Sequence, residues 1–185
     1  MIENEETVEK EETGEVEFIP TSRYEKVLYS VYKNESLCEL LRVLGYALSF
    51  GVIYAFLVYS VKLLDVSYIL AAELWMITGV PFLAVSLVRR LINAPRPYEL
   101  LPFYERKPKR KSGSSFPSRH VFSAFVIGVA LMPYSLLVGI LVALCGVALA
   151  ITRVLLGVHF IRDVAAGAII GALCGGIGLI VLHFI

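Results

Sequence analysis

The residues of this chain best able to do chemistry lie in its second half, and the densest group runs from Thr152 and Arg153 through His159 to Asp163. A histidine and an aspartate four positions apart share one face of a helix. The carboxylate is then expected to take one ring nitrogen and leave the other outward as a base or nucleophile. Arg153 adds a fixed positive charge, and the combination suits attack on phosphorus. The same residues would also serve as helix-end charges at a membrane surface, so the group needs company before it means catalysis.

Two earlier clusters supply it: Arg89 with Arg96-Pro97, and Pro117-Ser118-Arg119-His120. In order, spacing and gaps the three together resemble the signature of the type 2 phosphatidic acid phosphatase superfamily, which reads Lys-x6-Arg-Pro, Pro-Ser-Gly-His and Ser-Arg-x5-His-x3-Asp. Three positions depart from it. Arg89 stands for lysine, which keeps the charge but replaces a compact ammonium with a planar fork. Thr152 stands for serine and keeps the hydroxyl. Arg119 stands for glycine, adding bulk and charge where a bare backbone would approach phosphate closely.

The resemblance implies a set of roles. His159 would attack phosphorus to form a phosphohistidine, Asp163 would orient it, and His120 would protonate the leaving group and then activate water. Arg89, Arg96, Ser118, Arg119 and Arg153 would hold the phosphoryl oxygens. It also implies a metal-independent reaction with no cofactor, on a lipid phosphate or diphosphate of the phosphatidic acid, phosphatidylglycerophosphate or polyprenyl type. Two rivals stay open: a non-catalytic phospholipid-binding or transport protein, which Arg119 favours by crowding the phosphate, and a lipid phosphotransferase. His183, near the C-terminus, is expected to be incidental.

The elements that must position these residues are membrane helices. Of 185 residues 57% are hydrophobic and the mean hydropathy is +0.74, too apolar for a soluble domain of this size. An all-α integral membrane bundle is expected, with about five transmembrane helices plus an N-terminal interfacial helix, in the cell membrane. Residues 1–17 hold eight Glu and one Lys and read as a disordered acidic tail, without the basic start and apolar core of a signal peptide. Residues 18–36 read as an amphipathic interfacial helix opened by a Ser22-x-x-Glu25 capping box, with packing on the bundle as the equal alternative. Residues 37–185 are expected to form the transmembrane domain, a lipid-phosphatase domain as the resemblance implies.

Within that domain, a second capping pattern, Ser36-x-x-Glu39, introduces a nineteen-residue apolar run from Val43 to Val61. At ~1.5 Å per residue such a run matches a hydrocarbon core of about 30 Å. Ser67 to Val88 is the next span, with Pro81 as a kink and Glu73 as an intramembrane acid expected to be structural. Arg89 to Phe116 is a polar connection with a Lys/Arg run at 106–111 and Ser112-Gly113-Ser114-Ser115, which reads as flexible. No nucleic-acid recognition module accompanies the basic run, so no nucleic-acid partner is expected. Pro117 fits the first position of the third membrane helix; the fourth runs from about Leu136 to Ile151. The last carries His159 and Asp163 in its first turns, then Gly167, Gly171 and Gly175 at a spacing that permits close helix contact.

With five crossings, all three clusters meet at one membrane face. The N-terminal tail lies on that side and the C-terminus on the other. Arg89 to Arg119 carries nine Lys and Arg, so the positive-inside rule puts the site in the cytoplasm, although six-crossing bacterial relatives generally present it outside. Cys38, Cys145 and Cys174 sit in or beside apolar segments with no metal-type spacing. Nothing in the chain specifies an oligomeric state.

Overall fold

The computed structural model describes residues 20–101, 103 and 112–183, the side chains of the last two excepted. The expected acidic tail and most of the basic run lie outside the described residues. Among the described residues seven helices follow in order: α1 Arg23–Lys33, α2 Glu35–Val66, α3 Tyr68–Ile92, α4 Pro97–Leu100, α5 Arg119–Leu131, α6 Leu136–Leu155 and α7 Ile161–His183. The fold is an all-α membrane bundle, as the hydropathy requires.

Local signals account for several of the helix starts. Ser22 and Glu25 form the expected capping box on α1. α2, however, is capped by Asn34 and not near Ser36: the Asn34 Oδ1 accepts from the Leu37 amide at 2.9 Å. The Asn34 amide also donates to the Val31 carbonyl, so one extended residue ends α1 and starts α2.

α2, α3, α6 and α7 are each long and apolar enough to cross a membrane. Rows of leucine, isoleucine and valine on their outer faces, such as Leu57, Leu83, Leu144 and Ile169, are exposed, as a lipid-facing surface demands. α5 differs. Its 13 residues rise only ~20 Å, short of a hydrocarbon core of about 30 Å. It packs against α2, α3, α6 and α7, and eight of its residues are buried, so it is the inner helix of the bundle.

Glycines set how closely α5 is held. A Cβ on Gly167 would stand 2.7 Å from the Ser118 carbonyl oxygen, and one on Gly171 would stand 2.5 Å from that of Phe122. α7 therefore lies backbone against backbone on α5, as the four-residue spacing suggested. On the other side, a Cβ on Gly139 of α6 would meet the Gly128 carbonyl at 2.7 Å. These contacts bring the starts of α5 and α7 and the end of α6 to one level.

α3 ends at the same level, where Arg89 reaches the Pro117 carbonyl. α1 lies there too: Leu28 and Phe103 form a small apolar core with Tyr24, Tyr29, Tyr32, Tyr98 and Leu101. Glu73 is only half-buried. It lies close enough to Tyr134, in the α5–α6 turn away from the site, to push that phenol upward together with burial, which acts more strongly.

Candidate active site

The site is built at the end of the bundle where α3 and α6 finish and α5 and α7 begin. α6 runs four residues past Ile151, so Thr152 and Arg153 occupy its last turn. Gly157 then turns the chain at φ 64, a conformation a side chain would strain, and the amides of Val158 and His159 donate to the Arg153 carbonyl at 3.0 and 3.2 Å. α7 begins only at Ile161. His159 is therefore in the approach to the helix, and the expectation that it shares a helical face with Asp163 is corrected. Asp163 instead caps α7: its Oδ2 accepts from the Phe160 amide at 3.0 Å, and its own amide donates to the Phe160 carbonyl at 3.0 Å.

His159 and Asp163 are still joined, through a residue the spacing argument missed. The His159 Nδ1 lies 3.7 Å from the Asp163 Oδ2, too far for a hydrogen bond. Between them stands Ser115, fully buried, whose Oγ is 3.2 Å from the His159 Nδ1 and donates to the Asp163 Oδ2 at 2.5 Å. An ionised carboxylate can only accept, so the serine hydrogen points at Asp163 and a lone pair faces the imidazole. Nδ1 then carries its hydrogen toward Ser115. Nε2 keeps the free lone pair.

Ser115 was hidden by the linker-like composition of its segment, which the structure shows to be tied down. The Ser115 amide donates to the Ala94 carbonyl at 2.8 Å, the Gly113 amide to the Glu99 Oε1 at 2.7 Å and the Ser114 amide to the Asn93 Oδ1 at 3.1 Å. Gly113 is required there: at φ +67, a Cβ would lie 2.3 Å from the Asn93 Oδ1. The one signal in the sequence was that Ser115 directly precedes the Phe116-Pro117-Ser118 run.

The predicted phosphate ligands gather around this pair. Arg89 is buried and its Nη1 donates to the Pro117 carbonyl at 2.5 Å and the Ser115 carbonyl at 3.4 Å, so it also holds the approach to α5. The Arg96 Nε donates to the Gly113 carbonyl at 3.0 Å. The Arg153 Nε is buried without a hydrogen-bond partner among the described residues, and its guanidinium lies beside Gly45 of α2. Pro117 precedes the helix cap rather than opening the helix. Ser118 is the cap, with a fully buried Oγ that has no partner among the described residues and an amide that donates to the Asp163 carbonyl at 2.9 Å. Arg119 and His120 follow as the first residues of α5, where amides lack intrahelical partners, and both border a cavity of about 440 Å³ between α2, α3 and α5.

The electrostatics favour an anion and a neutral nucleophile. Among the described residues, Asp163 is the only fully buried carboxylate, against arginines at 89, 96, 119 and 153. That excess of positive charge is the complement of a phosphoryl group. Burial pulls the His159 imidazole below its usual pKa; the Asp163 carboxylate opposes this, while Arg96 and Arg89 reinforce it. The imidazole is therefore neutral near pH 7. Tyr24 of α1 also reaches the site, stacking on Phe160 with centroids 6.3 Å apart. Its phenol is pushed up to about 12, by burial first and then by the charge of Asp163.

Comparison with known proteins bears on the family and the fold. The sequence model of the PAP2 superfamily matches residues 62–184. A bacitracin transport permease protein, BcrC of Bacillus licheniformis, is 35% identical over 78 residues, which are 42% of this chain and 38% of that protein. The match thus spans well under half of the relative's length. The crystal structure of LpxE from Aquifex aeolicus superposes with a TM-score of 0.63 over 84% of this chain and 92% of that one, at 23% identity. The bundle is therefore a known fold, kept here at 23% identity.

Proposed function

We propose that this chain, which belongs to the PAP2 superfamily, is an integral membrane lipid phosphatase that works through a phosphohistidine. The observation that carries the reading is the neutral His159, tied through Ser115 to Asp163 and facing the arginine cluster. The His159 Nε2 lone pair attacks phosphorus, and the bond from phosphorus to the lipid oxygen breaks as His120 gives that oxygen a proton. His120 then takes a proton from water, the water oxygen attacks phosphorus, and the phosphorus–nitrogen bond breaks to release inorganic phosphate. Ser115 and Asp163 hold the imidazole and stabilise the charge it gains. Arg89, Arg96, Arg119, Arg153 and Ser118 carry the charge on the phosphoryl oxygens, the larger part of the work in phosphoryl transfer.

Placement at the end of the apolar helices supports a lipid phosphate or diphosphate as substrate, with its head group at the site and α1 lying along the membrane surface. The reaction as drawn uses only side chains of this chain, with no cofactor. The cell membrane is the proposed location, with the site in the cytoplasm.

The test is phosphate release from a panel of lipid phosphates by purified protein in detergent, with His159→Ala beside it. The variant is expected to lose turnover and the acid-labile phosphoenzyme together. Retention of more than a few per cent of activity would overturn the nucleophile assignment. A wild-type protein that binds these lipids and releases no phosphate would favour a binding or transport role, in which Arg119 crowds the phosphate.

A further inference from the structure

The cavity beside His120 extends far beyond the phosphoryl chemistry. It begins at Arg119 and His120 and follows α5 inward to Ile127, a rise of about 12 Å. Two of the hydroxyl groups on its walls are engaged by their own helices. The Ser49 hydroxyl of α2 donates to the Gly45 carbonyl at 2.7 Å, and the Thr78 hydroxyl of α3 donates to the Leu74 carbonyl at 2.8 Å. With those hydroxyls bonded, the walls from α2 and α3 are mainly apolar: Val52, Ile53, Phe56, Trp75 and Phe82. The deepest lining residues on α2 and α3 are Phe56 and Trp75, and their rings meet edge to face with centroids 4.8 Å apart. Trp75 and Ile53 are each about half exposed on the outer surface, so the groove is open sideways to lipid.

A charged mouth, apolar walls and a lateral opening fit one class of occupant, a molecule with an anionic head and a hydrocarbon chain. We infer that the groove holds one hydrocarbon chain of the lipid phosphate and that the Phe56–Trp75 ring pair is its floor, fixing the chain length at which binding stops improving. This rests on the phosphatase reading for the position of the head group. With C–C bonds of about 1.5 Å, a depth of about 12 Å takes roughly ten carbons of an extended chain. Each methylene removed from water contributes about fourfold in affinity at most. Gly79 is the natural place to shorten the groove: it lies one turn from Trp75 on the cavity wall, and a Cβ there would meet nothing within 4 Å.

The experiment measures kcat/KM for n-alkyl phosphates from four to fourteen carbons with the full chain in detergent, and the binding of the matching non-hydrolysable alkylphosphonates. Wild type should improve with each methylene up to about ten carbons and then level off. Gly79→Leu should bring that break down by about four or five carbons, one helical turn's worth. Trp75→Ala should move it to longer chains. Gly51→Leu, on the exposed face of α2 with open space around it, should leave it in place. A wild-type profile without a break, or a break unmoved by both cavity variants, overturns the floor assignment. The phosphonates separate the two readings: a break in binding without phosphate release keeps the groove and overturns the phosphatase, whereas release without a break overturns the groove alone.

Discussion

Replacing Ser115 with alanine removes the atom that joins nucleophile to carboxylate, and its cost follows from the contacts around it. Two hydrogen bonds disappear, the one of 3.2 Å to the His159 Nδ1 and the one of 2.5 Å to the Asp163 Oδ2. A hydrogen bond to a charged group contributes about 1.5–3 kcal/mol, which at ~1.4 kcal/mol per tenfold corresponds to a loss of about 10- to 10²-fold in kcat. The lower end is expected, because His159 and Asp163 stand 3.7 Å apart and a small movement would let them bond directly. Asp163 also keeps its contact to the Phe160 amide, so α7 should remain capped. Asp163→Asn should cost more, about 10²- to 10⁴-fold, since it removes the charge that supports the developing imidazolium. The assay is phosphate release in detergent with thermal melting alongside, and Ser114→Ala, whose hydroxyl reaches only Asn93, as the control. Activity of Ser115→Ala within twofold of wild type would refute the relay. A loss equal to that of His159→Ala would assign Ser115 a part in the chemistry itself.

Other outcomes follow from the same geometry. Arg119→Gly should weaken inhibition by vanadate or phosphate while leaving turnover, because Arg119 adds a clamp; an order-of-magnitude gain in activity would show that it crowds the site. Burial lowers the His159 pKa, so the acidic limb of kcat/KM should fall below the ordinary histidine value of about 6.5, as measured across pH 4–8. The native state then binds fewer protons than the unfolded chain, so this group's contribution to stability is complete above about pH 6.5 and declines as pH falls through its lowered value. Asp163→Asn removes an interaction that raises the His159 pKa and should move the limb further down. Finally, with Cys38, Cys145 and Cys174 replaced by serine, Ser112→Cys should resist an impermeant thiol reagent in intact cells; labelling would place the site outside.

Much of this protein could be read before any coordinates. Hydropathy located the long helices, because lipid leaves a spanning backbone no alternative to satisfying its own hydrogen bonds. The four-residue repeat of Gly167, Gly171 and Gly175 announced a close helix contact, and Ser22 with Glu25 announced a cap, since both depend on spacing along a single helix. The three clusters pointed to one end of the bundle by the alternation of crossings alone.

What the tertiary structure decided are contacts across long loops. Ser115 is 44 residues from His159 and 48 from Asp163, so no local period connects them. Its Ser-Gly-Ser-Ser segment has the composition of a flexible linker in water, and bonds from Asn93, Ala94 and Glu99 override that preference. The same limit applies to His159, whose place before α7 depends on the Gly157 turn and the Asp163 cap acting together. Tyr24 reaches Phe160 only because α1 folds back over the end of the bundle. Spacing reports which residues share an element. Which elements meet, and through which side chain, is set by packing between segments far apart in the chain.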